Sequence, residues 1–243
     1  MQRMNIDDVK KLDQKKYREQ FQCFLAEGEH LVLELEKAAI HNTALQASEL
    51  YVTDHYADWD TRFHKHRVSE RVMQQLSDTR SPQGIVARVP ISALTQLPRL
   101  PRAIYLYEVQ DPGNLGAILR TLGWFGGFEC LLSPGCVDPF NSKVVRASMG
   151  AIFYVPLVLD ADIQTAARQF KHPACLALSG QPLDTHTFRD ADCLIFGNEA
   201  RGIPDELLQA SGAVAYTIAG SGQIDSLNLA ATVNMCVYEL MRP

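Results

Sequence analysis

Three short segments in the second half of the chain combine polar side chains with glycines. They span residues 111–120, 196–204 and 218–231, and each follows an apolar run. Glycine lets a backbone turn tightly and approach a ligand closely, while amide, carboxylate and guanidinium groups can bind it. Loops that leave the strands of an α/β sheet lie where such proteins bind ligands, so this pattern predicts a binding site.

The first two segments carry the residues best suited to chemistry. Asn114 can cap a helix, and Arg120 lies between one and two turns further along it. Asn198 and Glu199 stand between two glycines, where an amide and a carboxylate can point at a ligand. Each segment alone also fits a plainer interpretation, namely a capped helix with a surface arginine or an ordinary loop closed by Pro204.

The third segment runs from an apolar stretch through a glycine-rich loop into the last helix. Ser226 is a good N-cap, which predicts a helix over residues 226–240. Asn228 would then lie in the first turn, where helix propensity does not favour it. Its position therefore predicts a task outside the helix.

Apolar periodicity predicts the elements that position these segments. The second half alternates strands with helices, which indicates a mainly parallel α/β sheet. Residues 1–92 indicate a small α/β domain, residues 93–102 a proline-rich linker, and residues 103–243 the larger domain. Strands are expected at 50–53, 84–89, 104–109, 128–132, 153–158, 174–178, 193–197 and 213–218, and helices at 27–39, 69–76, 115–125, 143–149, 161–170 and 226–240.

Composition limits the classes of function. The net charge is −5 and the first hundred residues are charge-balanced, so an RNA-binding surface would have to be a local patch. Two basic clusters, at residues 10–18 and 62–67, are candidates, although charged runs are more often solvated faces. No apolar stretch approaches the length of a membrane span, and the first residues, rich in Asp, Lys and Gln, show no apolar signal-peptide core, which predicts a cytoplasmic protein. No histidine spacing indicates a metal site. The scattered cysteines are expected to be buried thiols: Cys23, Cys130, Cys136, Cys175, Cys193 and Cys236.

Together the three segments resemble the motifs of the SpoU (TrmH) family of RNA ribose methyltransferases, in order and spacing, over residues 101–243. Residues 143–151 are similar to a further segment of that family, and residues 24–29 with 83–85 resemble its ribosomal-protein-like substrate-binding domain. The resemblance implies a SPOUT fold with a deep trefoil knot. It also implies a homodimer with the site at the subunit interface.

The resemblance further implies a reaction, which is transfer of a methyl group from S-adenosylmethionine to a ribose 2′-hydroxyl of RNA. Ribosomal RNA is expected, by fold analogy, ahead of transfer RNA. The implied catalytic residues are Asn114, Arg120, Glu199, Ser226 and Asn228, and the implied cofactor-binding residues are Leu178, Ser179, Gly197, Asn198, Gly202, Ile218 and Leu227.

Arg120 takes the proton in the family pattern. A guanidinium, with its pKa above about 12, is a poor base. We therefore expect Arg120 chiefly to bind an RNA phosphate and to polarise the hydroxyl.

Two other classes of protein share some of these features. A nucleotide-dependent oxidoreductase is disfavoured because residues 113–116 lack the G-x-G-x-x-G pattern. A non-catalytic RNA-binding protein on the same fold stays open, because Ala219 and Gly220 stand where the family usually has Pro and Met. That exchange replaces a rigid proline by a flexible loop and puts cofactor affinity in question.

Overall fold

The computed structural model describes residues 4–242, and their strands form two β-sheets. The strands are β1 (Cys23–Glu27), β2 (Glu49–Val52), β3 (His64–Arg67), β4 (Ile85–Pro90), β5 (Arg102–Leu106), β6 (Phe128–Leu132), β7 (Leu157–Val158), β8 (Pro173–Pro182), β9 (Cys193–Phe196) and β10 (Val214–Thr217). The α-helices are α1 (Ile6–Lys10), α2 (Lys15–Phe21), α3 (Glu29–His41), α4 (Glu70–Leu76), α5 (Ser92–Thr95), α6 (Pro112–Phe125), α7 (Ser142–Ala147), α8 (Ile163–Ala167), α9 (His186–Arg189), α10 (Asp205–Ser211) and α11 (Leu229–Met241).

The first sheet has the strand order β1-β4-β2-β3, with only the β2–β3 pair parallel. Helix α3 packs against β1 and β4 through the buried stripe of Leu31, Val32 and Leu35, which their helical spacing predicts. This confirms the helix, which starts two residues later than expected because Gly28, with φ of 105°, turns the chain out of β1. Strands β1 and β3 were not expected, and the residues of β3 show no apolar alternation.

The second sheet has the order β10-β8-β9-β5-β6-β7, and every adjacent pair is parallel. The mainly parallel α/β sheet expected from the sequence is confirmed. The strands at its centre, β5, β6 and β9, are buried on both faces apart from the half-buried Arg102. The loops that follow β5, β9 and β10 therefore emerge at the same edge of the sheet, the carboxyl edge.

Two expected elements are wrong in part. The strand over 153–158 is only the two residues Leu157 and Val158, because Pro156 has no N–H for a strand ladder, although its carbonyl accepts from Cys130. The last helix begins at Leu229, and its N-cap is Asn228, whose side chain accepts from the N–H of Ala231. Ser226 is therefore not the N-cap, and Asn228 lies outside the first turn.

The two sheets belong to one continuous apolar core. The ring of Phe24 on β1 lies 5.1 Å from that of Phe140, and the buried Arg18 pairs with Asp138 at 2.6 Å. At the start of the expected linker, Ala93 and Leu94 are buried in this core, whereas residues 95–102 are half-buried or exposed. The two parts of the chain are thus held in a fixed relation.

Helix α7 and the turn after it lie between α6 and the first part of the chain. A Cβ on Gly116 of α6 would collide with Ala147 and lie 2.9 Å from the carbonyl oxygen of Val144. A Cβ on Gly150 would lie 2.5 Å from Glu34 of α3. The segment 143–151, which resembles part of the SpoU family, therefore packs closely against α6 and against the region that resembles the substrate-binding domain.

Candidate active site

Helix α6 begins directly after the loop that leaves β5. Asp111 caps it by accepting from the N–H of Asn114 at 2.7 Å, and Pro112 occupies the first helical position, where a missing N–H is harmless. The expectation that Asn114 caps this helix is therefore wrong. Asp111 does so, and the Asn114 side chain is left to make other contacts.

Three residues from the three segments form one hydrogen-bonded chain, which we call the amide–carboxylate cluster: Asn114, Glu199 and Asn228. The Nδ2 of Asn228 donates to the Oδ1 of Asn114 at 2.9 Å. The Nδ2 of Asn114 donates in turn to the Oε1 of Glu199 at 3.2 Å. Asn114 is 114 residues from Asn228 and 85 residues from Glu199 in the chain, so the fold brings three separate motifs to one point.

Glu199 also accepts a hydrogen bond from the loop that follows β5. Its Oε2 accepts from the backbone N–H of Gln110 at 3.4 Å, while the Gln110 side chain donates to the carbonyls of Glu108 and Gly135. Sequence reasoning missed Gln110, because its contribution is a backbone donor that any residue type could supply.

Asn198 shapes the loop that carries Glu199. Its Oδ1 accepts from the N–H groups of Ala200 and Arg201 at 3.0 and 3.1 Å, and its Nδ2 donates to the carbonyl of Glu108 at 2.7 Å. Backbone bonds between Asn198 and Gly202 close the loop, and a Cβ on Gly197 would lie 2.6 Å from the Gly202 carbonyl carbon. The buried Asn198 side chain is thus used within the protein, and the glycines permit a closed turn.

Three of the residues expected at the cofactor, namely Leu178, Ser179 and Ile218, lie on or beside an irregularity in β8. Pairing with β10 shifts register between Ala215 and Tyr216, so that residues 176–180 bulge out of the ladder. Leu178 on this bulge is 83% exposed, and its carbonyl accepts from the Thr217 hydroxyl at 3.2 Å. Ile218, which is half-buried, directly follows Thr217 in the chain. Leu178 and Ile218, two of the residues expected at the cofactor, therefore lie close together.

The chain from residue 218 to 227, which we call the cofactor loop, contains no helix or strand and is mostly exposed. Its backbone N–H groups donate no backbone hydrogen bond in the described part of the chain. Ile224 and Leu227 expose their apolar side chains. These are the properties of a surface that can bind a partly apolar ligand through its backbone.

Two expected catalytic residues stay apart from the cluster. Arg120 is exposed on α6, and within residues 4–242 its side chain makes no hydrogen bond or ion pair. Ser226 is exposed in the cofactor loop, and its hydroxyl likewise has no partner among those residues. Both side chains are free to contact groups from outside the chain.

The two basic clusters are largely engaged within the chain. Lys65 donates to the carbonyls of Ala57 and Trp59 at 2.7 Å, and Arg67 pairs with Asp54. In the first cluster Lys10, Lys11, Lys15 and Arg18 all lie in ion pairs, with Asp7, Asp8, Glu19 and Asp138. Most of these cations therefore serve local structure.

The six cysteines are free thiols, and Cys136 is the one that is only half-buried. Burial raises the pKa of Cys193 and Cys236 to about 12, so both stay protonated at neutral pH. Among residues 4–242 no three His, Cys, Asp or Glu side chains converge as metal ligands. No helix in that range is long and apolar enough to cross a membrane.

A cavity of about 440 Å³ opens between α2 and the carboxyl ends of β6 and β7. Lys15 and Gln22 line one side, and Ser133, Gly135 and Asp160 the other. Because the Gly135 carbonyl accepts from Gln110, this cavity adjoins the amide–carboxylate cluster. A volume of this order suits a small organic group.

A parallel sheet with a polar cluster and an exposed glycine-rich loop at its carboxyl edge defines an α/β protein of the ligand-binding or group-transfer class. Matches to models of known protein families identify the family. The SpoU rRNA methylase family model matches residues 101–238, and the MRM3-like substrate binding domain matches residues 4–87. The chain belongs to the SpoU rRNA methylase family.

Several relatives match over nearly the whole chain. The 23S rRNA (guanosine(2553)-2′-O)-methyltransferase RlmP of Bacillus subtilis is 31% identical over 97% of this chain and 95% of its own length. A solved TrmH-family structure from Porphyromonas gingivalis, described as a candidate RNA methyltransferase, is 28% identical with a TM-score of 0.81, covering 99% and 98% of the two chains. An AdoMet-bound rRNA methyltransferase structure from Sinorhizobium meliloti is 27% identical with a TM-score of 0.77, covering 98% and 94%.

Proposed function

We propose that this protein transfers a methyl group from S-adenosylmethionine to a ribose 2′-hydroxyl of ribosomal RNA. The observation that carries the proposal is the hydrogen-bonded chain of Asn228, Asn114 and Glu199 at the carboxyl edge of the parallel sheet. RlmP, whose name states this activity on 23S rRNA, supports the choice of RNA. The substrate-binding family match over residues 4–87 supports RNA contact by the first part of the chain, which we propose as a domain ending near residue 92.

The cofactor loop and the β8 bulge fit S-adenosylmethionine. Leu178, Ile224 and Leu227 offer exposed apolar contacts for an adenine ring, and the loop backbone offers unused donors for its polar edge. We propose that Ser179, Gly197 and Ile218 complete this site, with Asn198 and Gly202 holding the shape of its wall. When bound, the cofactor supplies a methyl group on a positively charged sulfur, ready for attack in line.

The protein's own residues then have to align and polarise the ribose. The Glu199 carboxylate fixes the amide of Asn114 from one side, and Asn228 fixes it from the other. We propose that this fixed set positions the 2′-hydroxyl, with Ser226 closing the site from the loop. Since no reorganisation is needed when the reaction occurs, such preorganised dipoles are effective.

Arg120 is proposed to act from a second copy of the chain. Its exposure leaves it free to contact an RNA phosphate and to polarise the hydroxyl at the site of a partner protomer. Trp124, one turn further along α6, is 84% exposed, and Met235 and Tyr238 are exposed on α11, which packs against α6. Large exposed apolar side chains of this kind mark an interface, so we propose a homodimer. We also propose that the chain forms a trefoil knot within residues 103–243 and that the protein is cytoplasmic.

A calorimetric titration with S-adenosylmethionine, followed by a transfer assay on unmodified large-subunit rRNA, tests the proposal. The expected result is one bound cofactor per protomer and label that resists alkaline hydrolysis, as 2′-O-methylated linkages do. A folded protein that binds rRNA but not the cofactor would instead be a non-catalytic RNA-binding member of the fold. Label incorporated only into transfer RNA would reject ribosomal RNA as substrate.

A further inference from the structure

A glutamate in an unusual conformation borders the candidate site. Glu108 has φ of 48°, in the left-handed region that residues with a Cβ seldom adopt. Its N–H donates to the Ser133 hydroxyl at 2.8 Å, and its carbonyl accepts from Asn198 at 2.7 Å and from Gln110 at 3.3 Å. A strained residue held from three directions is often part of a functional device.

The held backbone directs the Glu108 carboxylate at one arginine. Its Oε2 lies 2.8 Å from the Nη2 of Arg201. The two segments run side by side in opposite directions, since Gln110 meets Glu199 and Glu108 meets Arg201. Arg201 therefore lies on the same loop as Glu199 of the amide–carboxylate cluster, two residues further along the chain.

Arg201 has most of its hydrogen-bonding capacity unused. Its side chain is 72% exposed, and within residues 4–242 its bond to Glu108 is its one side-chain hydrogen bond. A guanidinium has five N–H donors in a planar fork, so several stay available to a second acceptor. A phosphate matches that fork closely, and every ribose in RNA is joined to one.

We propose that Arg201, oriented by Glu108, binds the RNA phosphate next to the reacting ribose. The inference rests on the proposed function, because it requires RNA at the cluster. Arg201 is the phosphate ligand, and Glu108 is a positioning residue that acts through it.

The first test is the affinity of Arg201→Ala for unmodified large-subunit rRNA at several salt concentrations. We expect a loss of about tenfold and a decrease of about one in the slope of log affinity against log salt. The matched control is Arg168→Ala, because Arg168 is also exposed but ends α8, which returns the chain to the amino edge of the sheet. Calorimetric affinity for S-adenosylmethionine should be unchanged in both.

The second test is Glu108→Gln in the wild-type and Arg201→Ala backgrounds. In the wild type we expect KM for RNA to rise about threefold with kcat and the salt slope retained, because the guanidinium stays but is less well oriented. In the Arg201→Ala background the same change should have no effect, as a double-mutant cycle requires of residues that act through each other.

The outcomes separate the inference from the proposed function. If Arg201→Ala binds RNA as tightly as Arg168→Ala, or loses cofactor affinity instead, the assignment of Arg201 to a phosphate is wrong. If Glu108→Gln weakens RNA binding equally in both backgrounds, Glu108 does not act through Arg201. Failure of the wild-type protein to transfer methyl groups would reject the proposed function itself.

Discussion

The amide–carboxylate cluster and the cofactor loop lie at the same edge of one sheet but differ in how they are held. Asn114, Glu199 and Asn228 are bonded to one another, and two of them stand at the starts of helices. The backbone N–H groups of the cofactor loop donate to no backbone carbonyl within residues 4–242, and the loop exposes apolar side chains. The first region is organised by the protein alone, while the second has groups left over for a ligand to satisfy.

This difference indicates that the amide–carboxylate cluster and the cofactor loop have different functions. Groups that must align a reacting hydroxyl benefit from being fixed in advance. A loop proposed to bind a cofactor must be able to admit it, and segments with few contacts are the ones that open. Substitutions in the two regions should therefore have different consequences.

The largest expected effect follows Asn114→Ala, which removes both bonds that join the cluster. We expect methyl transfer to fall about 100- to 1,000-fold, as with loss of one preorganised donor, while S-adenosylmethionine affinity changes less than about twofold. Single-turnover transfer and calorimetry measure the two quantities. Asn5→Ala, at the exposed cap of α1, is the matched control. Equal loss of cofactor affinity would contradict the division between the two regions.

A smaller effect is expected from the same exchange at two glycines. In Gly116→Ala the new Cβ meets α7, and overpacking of this kind costs about 1–3 kcal/mol of unfolding free energy. Gly220→Ala has open space around it and should change that free energy by less than about 0.5 kcal/mol. Denaturant unfolding of both variants provides the comparison. Equal destabilisation would mean that the cofactor loop is packed in solution.

The smallest effect is expected from Ala219→Pro, which restores the proline usual in the family at this position. Proline limits the conformations of an unbound loop, a contribution of about 0.4–1 kcal/mol, so cofactor affinity should rise about two- to fivefold. Hydrogen exchange of residues 218–227 should slow in parallel. A variant that binds the cofactor more weakly would show that this chain has adapted its loop to a different backbone path.

The sequence predicted the parts of the fold that depend on local pattern. Buried strands such as β5, β6 and β9, and the helix carrying Leu31 and Leu35, follow from apolar runs and helical spacing. Strand β3 escaped prediction because a charged edge strand has no such pattern.

The motifs predicted which segments form the candidate site, but not the hydrogen bonds and backbone conformations within it. Asn228 was expected to have a task outside its helix, and its side chain bonds to Asn114, but the sequence assigned the N-cap to Ser226. The left-handed Glu108 and the backbone donor of Gln110 leave no signal in residue type, because both depend on how distant loops meet. The catalytic and cofactor-binding roles of the expected site residues, Arg120 and Ser226 included, stay predictions.

Mapping 2′-O-methyl groups in ribosomal RNA tests the central claim most directly. The comparison needs cells with the gene, cells without it, and deleted cells complemented with wild-type or Asn114→Ala protein. We expect one ribose of the large-subunit RNA to lose its methyl group on deletion and to regain it only with the wild-type protein. An unchanged map, or full restoration by Asn114→Ala, would contradict methyl transfer by the amide–carboxylate cluster.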